Sequence, residues 1–457
     1  MKMNVNSEKY RRITEDSLYP LLWSLAVPSM IGMMVSSVYS MTDTFFISKL
    51  DRTDLTASVG VVFAFISVVQ AIGFWFGYGT GNHVSKYIGM GLAEEADRMT
   101  SVGVFLALAF GCAAMIPGLI FVRQLAVLLG AGAGEGLMSA TVAYLRITLL
   151  SVPIMLAANV LYNVLRLQGS AKDSMTGLLA GMLINMALDP VFILAFHMGV
   201  AGAALASLVG QTCGAAILLG RMGKAGNTAV VISLMRPRPD LIKDILCGGA
   251  PNFCRQGISS ISSVLLNNIA GGFGEETIAG MTVAMRIISI GYALVIGFGQ
   301  GFQPICAINF GAGKYGRIKT SFRHALVTST VFLCVSSAVI FAFANDLAGV
   351  FSSEGAVAAV VADILRSQAV SLPFMAYYIL IGMQLQNIGR FGAATAVTVA
   401  QNGTFMIPAA LLLSYFFGYR GLVCLRPVSD ICALVFSMII GGRIVNSVVT
   451  KRRTENE

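Results

Sequence analysis

Apolar runs follow one another along this chain from residue 18 to residue 446, separated by short polar segments, and each is about 20 residues long or longer. An α-helix rising about 1.5 Å per residue needs that length to cross a hydrocarbon layer of about 30 Å. The pattern predicts twelve membrane helices over 18–48, 57–80, 100–122, 137–165, 173–196, 200–220, 242–270, 278–306, 320–345, 357–386, 392–416 and 422–446. Residues 1–17 are polar. The first run is too long for a removed signal peptide and lacks a small-residue cleavage signature, so it is expected to stay as the first helix. The expected fold is an all-α integral membrane protein.

The second half of the pattern repeats the first. Leu25-Ala-Val-Pro28 is answered by Gly248-Gly-Ala-Pro251, and Gly77-Tyr-Gly-Thr-Gly81 by Gly297-Phe-Gly-Gln-Gly301. Tyr144-Leu-Arg146 with Pro153 is answered by Ile364-Leu-Arg366 with Pro373, and Gly199 to Gly202 by Gly418 to Gly421. These landmarks keep a shift of about 220 residues. Apolar composition alone does not hold Pro, Gly and Arg in register, so the chain is read as a duplication. With six helices each, both halves enter the bilayer from the same side and their pseudo-twofold axis runs along its normal. The expected organisation is an amino-terminal six-helix lobe (1–221), a cytoplasmic linker (222–240) and a carboxy-terminal six-helix lobe with a short basic tail (241–457). Rocking of two such lobes about a cleft gives alternating access, which points to transport.

Composition agrees with the pattern. The chain is 56% hydrophobic and 12% charged, against about 25% charged in soluble domains. The net charge of +9 invites a nucleic-acid partner, but the predicted outer loops keep only Lys49, Arg52, Arg123, Arg420 and Arg426 of the 31 bases. That asymmetry is topology: both termini are expected on the cytoplasmic side of a plasma (inner) membrane, with lipid and no nucleic acid as partner. The eight cysteines lie in or beside apolar segments without a Cys-x-x-Cys pair and are read as free packing residues. His83, His197 and His324 stand apart from any Cys or acidic cluster, so no protein-bound metal or cofactor is expected. The two glycine stretches lack the Gly-Lys-Ser/Thr end of a phosphate loop and lie inside helices, where small residues let helices approach.

Ionisable groups deep in a membrane are costly, which makes function their default reading. Asp43 lies about 8 Å, and Asp189 about 12 Å, below the outer ends of the first and fifth predicted helices. Tyr39 precedes Asp43 by four residues and Asn185 precedes Asp189 by four, so each pair shares a helix face. Ser207 is similarly deep in the sixth helix. Together these groups form a candidate pocket for a proton or for Na+ on Asp43, Asn185 and Asp189. Two carboxylates close together in low dielectric do not both ionise cheaply. The competing reading is that both acids bond nearby helix ends. Met33 and Met34 are candidates to line a soft apolar cavity beside Asp43. Arg146 and Arg366 are read as snorkelling or bonding carbonyls, while Arg255 and Arg286 in the second half are held open as substrate contacts. No His/Asp or Ser/Lys constellation with hydrolytic spacing occurs in the apolar runs, so an enzyme is not expected.

Pro28 through Asp43-Thr-Phe-Phe-Ile47, and Gly299-Gln-Gly-Phe-Gln-Pro304 leading to Asn309-Phe-Gly-Ala-Gly313, resemble the multidrug and toxic compound extrusion (MATE) exporters over nearly the whole chain. The resemblance implies two six-helix bundles in a V, exporting organic cations or amphipathic drugs against inward H+ or Na+; a monomer is the expected state. In the branch with an amino-terminal coupling site the matching positions are Asp43, Asn185, Asp189 and Ser207, with Ala203 offering a carbonyl and Tyr39 a pocket residue. Another branch has a Glu in the seventh helix and an Asp in the tenth. Here the former holds Asn252, Arg255 and Gln256 and the latter only Asp363, so a second-lobe cation site of that kind is not expected. Coupling through the first lobe, with H+ ahead of Na+, is the expectation. The alternative is a flippase for a lipid-linked oligosaccharide or other amphipathic lipid, whose anionic cargo favours a basic cavity.

Overall fold

Short polar connections force consecutive apolar runs to return through the bilayer as helices, because only a helix satisfies its own backbone in lipid. The structure, a computed structural model, describes residues 8–48, 53–224, 226–351 and 355–454, with residues 36–46, 48, 53, 133, 351, 446 and 448–454 as backbone alone. Its helices are α1 (Glu8–Glu15), α2 (Leu18–Ser48), α3 (Thr53–Gly89), α4 (Ala93–Ile120), α5 (Val122–Leu128), α6 (Glu135–Leu167), α7 (Ala171–Pro190) and α8 (Gly199–Arg221) in the first half. The second half holds α9 (Pro239–Gly271), α10 (Glu275–Gly311), α11 (Tyr315–Ala342), α12 (Ala344–Phe351), α13 (Gly355–Ser371), α14 (Met375–Asn387), α15 (Phe391–Val399) and α16 (Met406–Thr454). The described residues contain no strand.

Among the described residues, ten stretches are long and apolar enough to cross a membrane, and the last, Phe391–Val445, holds two crossings because the chain turns at Gly418 (φ 58, ψ −135). With α9, polar by composition, this gives the twelve expected crossings. Several helices outrun the apolar pattern. The second was expected over 57–80, yet α3 continues to Gly89, since Asn82, His83 and Ser85 serve a helix beyond the hydrocarbon edge as well as apolar residues do. The tenth crossing is broken by a 3₁₀ turn at Leu372–Phe374 around Pro373, which lacks an N–H to donate. Two crossings contain π-helical turns: Val191–Ala195 after α7 and Ala400–Phe405 between α15 and α16. Along α11, Val327, Val331, Val335 and Val339 point outward at four-residue spacing, the stripe of a helix whose partner is lipid.

The chain forms two compact units. The first comprises residues up to Asp16 with Ile31–Gly249; the second comprises Ser17–Met30 with the chain from Ala250 on. The changes of unit fall inside α2 and α9, whereas the segment 222–240, expected as a linker, belongs to the first unit. Glycines explain the exchange. In the first unit a Cβ at Gly79 of α3 would lie 1.9 Å from the Ile245 carbonyl oxygen, and one at Gly249 would lie 1.8 Å from that of Trp75, so α9 begins directly against α3. In the second, a Cβ at Gly301 of α10 would lie 2.5 Å from the Ala26 Cα, and one at Gly297 would lie 2.7 Å from the Met30 Cα. The repeated glycine stretches are therefore close-packing surfaces for the start of the other half's first helix.

The 222–240 segment is laced to the first unit's polar end. Thr228 N–H donates to Gln168 Oε1 at 3.0 Å, Ala229 N–H to Asp97 Oδ1 at 2.8 Å and Val231 N–H to Ser101 Oγ at 2.9 Å. Lys9 of α1 donates to Ser170 Oγ at 2.6 Å and Asn227 Oδ1 at 2.7 Å. Burial pushes the Lys9 ammonium down to about 7 against the opposing pull of Asp173.

Candidate functional site

The first unit's site is built by the α7/α8 pair. Their backbones approach along Gly177, Gly181, Gly210 and Gly214: a Cβ at Gly210 would stand 2.6 Å from the Gly181 carbonyl oxygen, and one at Gly214 would stand 3.0 Å from that of Gly177. One turn further along α7, that proximity brings Asn185 Nδ2 to Ser207 Oγ at 3.1 Å. Asn185 is 1% exposed and Asp189, one helical turn on, is 0% exposed. Ala203, one turn before Ser207 on α8, is buried as well. Directly after Asp189, Pro190 and the π-helical turn at Val191–Ala195 loosen the regular ladder. Such turns recur at functional sites because they release backbone carbonyls. The chain then reverses tightly through His197 (φ 53) and Gly199 (φ +57) into α8.

Asn185 and Asp189 on α7, and Ala203 and Ser207 on α8, thus lie one helical turn apart on two helices joined by the Asn185–Ser207 hydrogen bond. The α2 backbone runs helically past positions 39 and 43, while the side chains of Tyr39 and Asp43 lie outside the described residues. Met33 is half-buried and Met34 is 47% exposed.

Other residues singled out in the sequence lie in the second unit. Arg286 is exposed. Arg255 is half-buried, and its Nη1 donates over 3.5 Å to the Tyr292 hydroxyl. Asp363 is exposed and accepts from the Tyr419 hydroxyl at 3.3 Å. Arg426, counted among the outer-loop bases at the edge of the predicted helix 422–446, lies within α16 beyond the Gly418 turn.

Arg426 belongs to a polar network that sequence reasoning missed. Asp430, 3% exposed, accepts from Ser371 Oγ at 2.7 Å, Gln401 Nε2 at 2.9 Å and the Tyr378 hydroxyl at 3.2 Å. Arg426 Nη1 donates to Asn402 Oδ1 at 3.1 Å, and Asn402 Nδ2 donates to Ser259 Oγ at 2.8 Å. The π-helical turn at Ala400–Phe405 again releases carbonyls, and here serines take them up: Ser429 Oγ donates to Gln401 O at 2.6 Å and Ser262 Oγ to Asn402 O. Two signals pointed there. Asp430 is an acid within an apolar run, and the register that pairs Gly199 with Gly418 pairs Ser207 with Arg426.

Comparison with known proteins agrees with this architecture. The MatE family pattern matches residues 28–191 and 251–412, one block in each half of the chain. The multidrug export protein MepA of Staphylococcus aureus (strain NCTC 8325 / PS 47) is 25% identical over 438 residues, covering 95% of this chain and 96% of that protein. MepA of Staphylococcus saprophyticus is 26% identical with the same coverage. In fold, the chain superposes on a MATE crystal structure in the bent conformation with a TM-score of 0.91 at 23% identity, covering 98% and 100% of the two chains. A MOP-superfamily transporter from Pyrococcus furiosus Vc1 (DSM3638), described as having a binding pocket of reverse polarity, superposes with a TM-score of 0.88 at 23% identity, covering 97% and 99%.

Proposed function

The chain belongs to the MatE family, a membrane multidrug transporter by its relatives and its apolar helices, and on that premise we propose that it exports organic cations and amphipathic drugs by cation-coupled antiport through its first unit. The observation that carries the reading is Asp189: a carboxylate at 0% exposure in a membrane helix, one turn from an asparagine that donates to Ser207. An ionised carboxylate withdrawn from water is expensive, so such a group gains from binding H+ or a small cation. H+ is the preferred ion. Na+ is the alternative, held by Asp43, Asp189 and Asn185 with the Ala203 carbonyl and the Ser207 hydroxyl as further hard oxygens.

The coupling follows from competition for one charge. An organic cation entering the cavity is favoured by a bare Asp189; protonation or Na+ binding removes that attraction and favours release outside. The π-helical turn beyond Asp189 lets the end of α7 repack when the carboxylate changes state, at little cost in hydrogen bonds. Drug and ion are thereby exchanged across the bilayer without a covalent step, in a plasma (inner) membrane with both termini cytoplasmic, by a monomer.

The test is efflux of a fluorescent organic cation from cells expressing the wild type, Asp189→Asn or Asp43→Asn at matched surface expression, with and without protonophore in sodium-free buffer. Loss of efflux in both variants and under protonophore is expected for proton coupling. Efflux that needs Na+ and withstands protonophore selects the sodium alternative, and unchanged efflux in both variants removes coupling from the first unit.

A further inference from the structure

We propose that the second unit holds an anion-binding subsite, centred on Arg426 with Arg255 as supporting cation, that takes the carboxylate of amphipathic substrates carrying one. The proposal deepens the export reading above and rests on it for the identity of the cargo, though the subsite itself is read from the second unit alone.

The guanidinium of Arg426 is committed on one edge only. Nη1 donates to Asn402 Oδ1 at 3.1 Å, and Asn402 is itself fixed by its bond to Ser259. On the other edge, Nη2 faces the Met285 sulfur at 3.9 Å, a weak acceptor, and Nε is buried without a hydrogen-bond partner among the described residues. The Nε/Nη2 edge is the fork that receives a carboxylate through two parallel hydrogen bonds. A buried donor left unsatisfied is costly, and a methionine side chain is the easiest cover to displace. No carboxylate among the described residues comes within 4.0 Å of Arg426 or Arg255.

The neighbouring acid does not occupy the open edge. Asp430 is the nearby acid, but both its oxygens are already hydrogen-bonded by Ser371, Gln401 and Tyr378. Arg426 is the cation beside it, and Arg255, four residues before Ser259 on α9, reaches the Tyr292 hydroxyl at 3.5 Å. With that acid already held by three neutral donors, the Nε/Nη2 edge of Arg426 lies in a part of the membrane domain where an unsatisfied guanidinium edge is expensive until something pairs with it. The repeat register sharpens the point. Where the first unit offers Asn185 a neutral Ser207, the second offers Asn402 a cation.

The test uses the purified full chain in detergent and two probes differing in one group: a rhodamine with a free carboxylate and its methyl ester. Fluorescence polarisation is expected to give tighter binding of the acid by wild type. Arg426→Gln is expected to weaken the acid about tenfold or more while moving the ester less than about twofold, the latter showing that the variant is folded. Arg255→Gln has a smaller effect of the same kind, and Arg286→Gln, at the exposed arginine, has none. Benzoate alone, titrated calorimetrically, is expected to bind wild type and not Arg426→Gln. Equal affinity of wild type for acid and ester, parallel loss of both in Arg426→Gln, or an equal effect of Arg286→Gln overturns the subsite. Benzoate binding without binding of either dye supports the subsite and sinks the export reading for these cargoes. Binding of both dyes with no acid preference and no benzoate binding does the reverse.

Discussion

In the first unit Asn185 faces Ser207, and one turn beyond the asparagine lies Asp189. In the second Asn402 faces Arg426, and one turn beyond the arginine lies Asp430. Both arrangements stand beside a π-helical turn, and the helices carrying Ser207 and Arg426 both start from a positive-φ glycine, Gly199 or Gly418. The frame has survived duplication while the charge within it has changed. A buried carboxylate one turn from an asparagine that donates to a serine can be satisfied by an exchangeable cation. A carboxylate wrapped by three donors beside a guanidinium needs none, and the guanidinium is left to seek an anion. Duplicated sites in a membrane thus diverge by single charges, because each charge decides what the pocket admits.

That contrast can be broken in four ways, in decreasing order of expected effect. Asp189→Asn should lower cation efflux by about 10- to 100-fold, the span of a typical coupling free energy, and leave thermal stability in detergent close to wild type. If the two measurements changed places, the first unit's acid would be structural. Asp430→Ala should behave in the opposite sense. It strands the donors Ser371, Gln401 and Tyr378, and a buried donor left unsatisfied costs about 1–3 kcal/mol. The measurement is the unfolding midpoint of the purified protein, with the ion dependence of residual efflux expected to stay where it was.

Asn185→Ala is milder. It removes one hydrogen bond of about 1 kcal/mol, so the ion concentration giving half-maximal efflux should rise about fivefold while maximal efflux is kept. The smallest effect concerns the first unit's polar end, where Lys9 clips α1 to Ser170 and Asn227. Burial holds its docked pKa down at about 7, below the ordinary lysine value of 10.5, so docking favours the neutral amine. Docking is therefore strongest above the undocked pKa, weakens as pH falls from about 10 towards 7, and changes little below that. Hydrogen exchange of Glu8–Glu15, corrected for intrinsic rates, should accelerate across that window, and Lys9→Met should abolish the dependence. This pH response belongs to α1 and should be separable from that of efflux, which follows Asp189.

Much of this protein was legible in one dimension. Membrane helices announce themselves, since the bilayer demands about 20 apolar residues in a row and the positive-inside asymmetry counts on loops alone. The duplication was legible because Pro and Gly landmarks keep register. Asp189 and Asn185 were legible for the same reason, four residues apart on one helix in an otherwise apolar run. Their partner Ser207 lies 22 positions on, found by depth in the sixth helix and by resemblance.

The rest depended on packing between distant segments. Asp430 draws its donors from residues 29 to 59 positions away, and no local pattern records that. Arg426 stands at the edge of a predicted helix, and nothing local to it points to the Asn402 oxygen it meets. Nor could the chain's order reveal that residues 17–30 pack with the second unit and 239–249 with the first. That exchange is settled by backbones meeting across Gly79, Gly249, Gly297 and Gly301 at distances no side chain permits. Sequence by itself determined which stretches enter the membrane and which charges go with them, because lipid acts on each segment separately. Tertiary structure decided which charges meet, because a buried charge is governed by the neighbours that packing brings within a few ångströms, and those come from anywhere in the chain.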